Sequence, residues 1–198
     1  MSKKEQIIDF ARSRGVFRAR DLAPIGISPS YLEDLARRGT IQKAGRGLYQ
    51  ARDFDITENH SLVEITAYVP NAIICLTSAL QFHRLGTQLP AAVWIALPNF
   101  AHSPKLPIMV EVVHMNDAGL SAGVEKHRLE GVEVRIFNAA KTVADCFKYR
   151  SVVGLDIALE ALKSGLQQGR VTPNDVYHYA EINRVAKVML PYLEALNA

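Results

Sequence analysis

Long apolar runs are missing from this sequence. None approaches the roughly 20 residues that a membrane helix needs. The opening MSKKEQIIDF lacks the apolar stretch of a secretory signal, so a cytoplasmic protein with no membrane partner is expected. Cysteine is scarce. Cys75 and Cys146 are the only two; both sit in apolar surroundings and far apart, which reads as two buried thiols rather than a disulfide or a metal-ligand pair. The histidines His60, His83, His102, His114, His127 and His178 are scattered, with no two at i, i+3 or i+4. No GxxxxGK[ST] loop occurs, and Gly45-Arg46-Gly47 is too short to cradle a phosphate chain. No nucleophile-elbow sequence is present. There is no internal repeat or low-complexity tract. The nearest approach to a catalytic cluster is Glu111 in MVEVV with Asp117, Glu125 and Lys126. A metal-dependent nuclease gathers carboxylates and a lysine around Mg²⁺, and this spacing matches no metal motif. A protein without enzymatic activity, cofactor or metal is expected.

What is present is an ordinary globular composition on a chain of 198 residues, 48% apolar and 22% charged, enough for one domain or two small ones. Its charge is unevenly placed. Residues 1–52 carry a net +6 and the remainder a net −3. Local signals in the basic part form a pattern. Ile7, Ile8, Phe10 and Ala11 make the apolar stripe of a first helix, which Gly15 closes. Residues 16–18 are a short extended link. Residues 19–23 form a stubby second helix that Pro24 and Gly26 stop. Ser28 caps a third helix with Pro29 in its first turn, ending at Gly39. Residues 40–43 and 48–50 pair as a hairpin across Ala44-Gly45-Arg46-Gly47, where Gly45 and Gly47 supply positive φ. Three helices followed by a β-wing is the winged helix-turn-helix plan, which lays its third helix in the major groove of DNA.

That plan assigns roles. Leu32 and Leu35 face the core, and Ser30, Tyr31, Asp34, Arg37 and Arg38 are left outward. The helix N-terminus meets base edges in this motif, so Ser30 and Tyr31 are the candidates for base contact, and the capping Ser28 is counted with them in the expected DNA-binding set. Tyr31 has an equally good alternative as a half-buried packing residue. Arg37 and Arg38, with Lys43 and Arg46 on the wing, are the candidates for phosphate, because Lys and Arg supply the sequence-independent part of DNA affinity. Tyr49 is expected to pack inward.

Residues 53–57 are read as a linker and 58–198 as a second domain. Thr57 caps a helix over 58–68. Residues 72–76 are a short buried strand, and a helix starting at Thr77 or Ser78 runs through Leu85 to Gly86. Strands follow at 93–97, 109–114, 124–129 and 132–137, the last two as a hairpin on Glu130-Gly131. Helices over 139–150, 152–168, 173–183 and 185–196 are separated at Ser151, Gly169 and Asn183. The fold class is therefore α+β: a winged helix, then a mixed domain with a small sheet and a carboxy-terminal helical block. Lys141, Asp145 and Lys148 fall on one helix face at i, i+4 and i+7, either as an ion-paired ladder bracing the helix or as a polar site for a phosphate or a partner.

Several stretches together resemble the antitoxins of the abortive-infection AbiE systems (AbiEi type). They are the wing ending Gly45-Arg46-Gly47-Leu48-Tyr49, the segment Ser78-Ala79-Leu80 with His83 and Leu85-Gly86, residues 135–137 leading into Lys141-Thr142-Val143-Ala144-Asp145-Cys146-Phe147-Lys148-Tyr149-Arg150, and the helix over 154–163. The stretch from Lys141 is the most specific and the wing the least. The resemblance spans nearly the whole chain. It implies a repressor that binds inverted repeats in its own promoter, as two copies on DNA. It also implies an antitoxin of the type IV class, whose functional partner is a nucleotidyltransferase toxin that it need not touch. Two other readings stand beside it: a ligand-responsive winged-helix regulator without a toxin partner, and the metal-dependent nuclease built on Glu111.

Overall fold

The computed structural model describes residues 2–197, which divide into two compact units. The first takes residues up to Pro70 together with Lys105–Pro107 and His127–Val134; the second takes Asn71–Pro104, Ile108–Lys126 and the chain from Arg135.

In the first unit, helix α1 (Lys3–Arg14) is opened by a capping box. Ser2 Oγ accepts from the Glu5 amide at 3.2 Å, and Glu5 Oε2 accepts from the Ser2 amide at 2.7 Å. Gly15 ends it at φ 65°. Strand β1 (Phe17–Arg18) leads into a 3₁₀ helix, Ala19–Ile25. The expected second helix is thus 3₁₀ rather than α. It runs through Pro24 instead of stopping before it, because Asp21 Oδ2 ties its start to the Arg18 amide at 2.7 Å and Gly26 supplies the left-handed exit. Helix α2 (Pro29–Arg37) starts where Ser28 Oγ accepts from the Tyr31 amide at 3.3 Å. Strands β2 (Ile41–Gly45) and β3 (Leu48–Ala51) complete an antiparallel sheet in the order β1-β3-β2. Ile7, Phe17, Leu22, Ile27, Leu32, Leu35, Ile41 and Tyr49 pack as one buried core. This is the winged-helix layout.

Helix α3 (His60–Tyr68) belongs to the same unit. It begins two residues later than expected, with Asn59 at its N-cap and residues 57–59 forming a turn ahead of it. The Thr57 hydroxyl accepts from the Asn59 amide at 3.1 Å and donates to Glu130 Oε1 at 2.8 Å.

A five-stranded sheet has the order β6-β5-β4-β8-β7, made of β4 (Ile73–Ile74), β5 (Val93–Pro98), β6 (Val110–Met115), β7 (Val124–Leu129) and β8 (Val132–Phe137); β4, β5 and β6 belong to the second unit, as do β7 up to Lys126 and β8 from Arg135. Strand β4 runs antiparallel to β5 and parallel to β8, and β5 runs parallel to β6. The β7–β8 turn is Glu130-Gly131 with φ of 48° and 81°, both positive as a two-residue hairpin turn requires. The strand expected over 72–76 shrinks to two residues, because Cys75 already serves as the N-cap of α4 (Leu76–His83). That helix stops at Arg84, itself left-handed at φ 55°, short of the expected Leu85-Gly86.

Beyond the short α5 (Asp117–Ser121), the carboxy-terminal block comprises α6 (Ala139–Lys148), α7 (Arg150–Val153), α8 (Leu155–Gln167), α9 (Pro173–Ile182) and α10 (Ala186–Asn197). The expected break at Ser151 lies inside α7. The chain turns instead at Tyr149 and at Gly154, whose φ of 98° is closed to other residues. Helix α6 is buried along Ala140–Phe147 and packs against α4, α8 and α9, so it is the axis of this core. Cys75 and Cys146 are free, buried thiols. Among the described residues no helix is long and apolar enough to cross a membrane.

Candidate nucleic-acid interface

Helix α2 turns Leu32 and Leu35 into the core and leaves Ser30, Glu33, Arg37 and Arg38 exposed, with Asp34 half-buried beside them. Ser28 Oγ lies 3.0 Å from Ser30 Oγ, so the two hydroxyls stand together at the start of the helix. Tyr31 is half-buried and packs against the core. That is the packing role weighed for it, and only part of the ring is open.

The cations on this face are already engaged. Asp34 holds Arg37 at 3.3 Å and Arg38 at 2.8 Å. Glu33 holds Lys43 of β2 at 3.0 Å and accepts from the buried Tyr49 hydroxyl of β3 at 3.1 Å. The hydrogen bonds from Lys43 and then Tyr49 lower the Glu33 carboxyl below its ordinary value, while burial, with Glu33 second, raises the Tyr49 phenol. Glu33 therefore ties α2 to both wing strands. Exposed pairs of this kind are weak and open readily to a competing phosphate.

At the wing tip only Gly47 has positive φ, 73°; Gly45 does not. Gly45 answers a different need. A Cβ there would lie 2.7 Å from Tyr68 Oη and 2.8 Å from Glu64 Oε1, so glycine leaves room for the ends of these two α3 side chains against the wing. The register also slips between Lys43 and Gly45, the bulge that bends the strand toward the tip. Arg46 is exposed there. Arg18 buttresses the same helix from the other side, donating to Tyr68 O at 3.2 Å with its guanidinium 5.3 Å from the Tyr68 ring. Burial raises the Glu64 carboxyl.

A cleft of about 610 Å³ runs between the end of α2 and β2. Its walls include Glu33, Arg37, Lys43 and Arg52. Arg52 reaches the Gly39 carbonyl at 3.4 Å. Sequence reasoning missed Glu33 and Arg52. Glu33 was recoverable from helix spacing, since it lies one turn beyond Ser30; Arg52 was not, because it comes into place only when β3 pairs with β2.

The other candidates lie in the second unit. Lys141 Nζ donates to Asp145 Oδ1, and both side chains are wholly buried. Asn183, which caps the end of α9, donates to the same oxygen at 2.7 Å. The Lys141 ammonium stands 4.4 Å from the centre of the Phe137 ring. The i, i+4 pair thus braces α6 against α9. Lys148, further along, is the only one of the three with accessible surface. His83 Nε2 donates to the Phe137 carbonyl at 2.7 Å, which brings the two distinctive sequence stretches into contact. Glu111 and Asp117 sit by the β6 edge of the sheet, Glu125 and Lys126 on β7 at the opposite edge. Four strand spacings, roughly 19 Å, separate the edges, so these residues do not converge. Among the described residues no group of three or more His, Cys, Asp or Glu is placed to hold a metal.

The first unit thus contains a winged helix, whose third helix exposes Arg37 and Arg38 and whose wing exposes Lys43 and Arg46. Residues 5–52 match the family model described as "Transcriptional regulator, AbiEi antitoxin". The resemblance read from the sequence is met in that segment. No curated protein matches the chain. Among solved structures it is similar in fold to the RV2827C protein of Mycobacterium tuberculosis, at 15% identity and a TM-score of 0.57, covering 97% of this chain and 79% of that one.

Proposed function

We propose that this protein is a DNA-binding transcriptional repressor and antitoxin of an AbiE-like, type IV toxin–antitoxin system. In this reading two copies bind inverted repeats in the protein's own promoter, and the protein counteracts a nucleotidyltransferase toxin without needing to touch it. It acts in the cytoplasm and catalyses no reaction. The observation that carries the reading is the coincidence, in residues 5–52, of the AbiEi regulator match with the winged-helix layout. The net +6 of residues 1–52 favours a phosphate-bearing partner.

Residues 1–52 make the contacts, and residues 58–198 carry the antitoxin role. Arg37, Arg38, Lys43 and Arg46 meet phosphate. Ser30, beside the capping Ser28, meets a base edge, and the open part of Tyr31 stands next to it. Lys148 is what the α6 face offers a partner, with Lys141 and Asp145 setting its position from inside.

The test is a mobility shift with promoter DNA over a range of salt. Arg46→Ala should weaken binding to all sequences and shallow the salt slope by about one contact's worth. An unchanged slope removes Arg46 from the interface, and absence of promoter binding by the wild type overturns the repressor reading.

A further inference from the structure

We propose that Glu33 is a base-reading residue of this winged helix, accepting a hydrogen bond from the exocyclic amine of a cytosine in the major groove. The inference rests on the DNA-binding reading above and adds a ligand group to it.

A carboxylate in the middle of a phosphate-facing surface repels the ligand unless it meets a donor. Helix α2 carries two. Asp34 is 28% exposed and bound by Arg37 and Arg38 of its own helix, whereas Glu33 is 56% exposed and bound only from the wing. Glu33 is thus the carboxylate that faces outward, one turn beyond Ser30, in the part of a recognition helix that reaches base edges.

Its partners hold it ready. The Tyr49 ring is anchored in the core and its hydroxyl fixes Oε1; Lys43 spans both carboxylate oxygens, at 3.0 and 3.1 Å, and can transfer to a phosphate as DNA docks. An ionised carboxylate has acceptors and no donor. In the major groove, guanine presents only acceptors on its edge, and adenine sets an acceptor, N7, beside its amine. Cytosine presents its N4 donor without an acceptor beside it. The chemistry of Glu33 therefore selects cytosine.

The experiment is a selection of binding sites from random duplexes, with full-length wild type, Glu33→Gln and Tyr49→Phe. Wild type should return a C·G pair at one position of each half-site. Glu33→Gln keeps an acceptor for Tyr49 but adds a donor. It should move that position toward adenine or relax it, losing on the order of tenfold discrimination. Tyr49→Phe should lower affinity and keep the consensus. An unchanged consensus for Glu33→Gln overturns the proposal, as does a loss of affinity that is equal for every sequence, which assigns Glu33 to wing bracing alone. If the wild type enriches no sequence, the DNA-binding reading itself fails, a result distinct from an enriched consensus that ignores Glu33.

Discussion

The ion pair at the centre of the second unit shows what a single residue is worth in this fold. Lys141 and Asp145 are wholly buried. Burial raises the Asp145 carboxyl against the pull of Lys141 and the Asn183 amide. Asp145 Oδ2 and Asn183 Oδ1 find no partner, so the network is only partly satisfied. Breaking such a pair from one side strands a charge; removing both sides does not. Lys141→Met should therefore cost about 3–5 kcal/mol. The double change with Asp145→Leu should recover most of it, as read by urea denaturation of the three proteins. The pair itself was legible in the sequence, because i, i+4 spacing sets the two side chains on one face. What covers that face was not legible. Asn183 lies 38 positions beyond Asp145, and no local pattern links them. Cys75 and Cys146 read correctly as buried thiols because their neighbours are apolar; burial pushes both well up, so they stay protonated.

At the scale of elements, the β7–β8 hairpin has a second task at its turn. Glu130 accepts from the Thr57 amide and hydroxyl at 2.8 Å each and pairs with His60 Nδ1 at 2.7 Å. The Glu130 carbonyl sits against Gly15, where an added Cβ would meet it at 1.7 Å, and Gly131 lies against Ser13 and Arg14. Gly15→Ala combines that collision with a φ of 65°. It should destabilise far more than Gly26→Ala or Gly47→Ala, which are also left-handed but open, and which should each cost about 1–2 kcal/mol. Thermal denaturation of the three variants ranks them; equal losses would mean that the end of α1 shifts freely from the hairpin. The sequence named each of these glycines as a turn or a helix stop, since that follows from backbone chemistry. It could not tell Gly45, which makes room for α3, from Gly47, which makes the turn. Close approach depends on residues far along the chain.

For the molecule as a whole, the compact first unit extends past the winged helix proper to include α3 and residues 127–134. Element types and the winged-helix plan were legible because caps, turn glycines and apolar periodicity are local. The composition of this unit was not, because it is assembled from three separate stretches. A fragment of residues 1–52 keeps the proposed DNA contacts but loses Glu64, Tyr68 and the Glu130 turn that pack against it. It should show no cooperative thermal transition, with residues 1–70 intermediate and the full chain sharp, when circular dichroism is followed on heating. A cooperative melt of 1–52 matching the full chain would assign α3 and the hairpin turn no part in its stability.

The discontinuity of that unit also sets an order of events at the ribosome. Proteins emerge amino terminus first and fold as units once their parts are out. The wing is made early, but the last piece of its unit is residue 134 of 198. A nascent chain thus carries its third helix and wing, within a segment of net +6 whose unit is unfinished, through the synthesis of more than eighty further residues beyond Arg46. Polyanions near the ribosome meet that segment before the hairpin turn arrives to seat it.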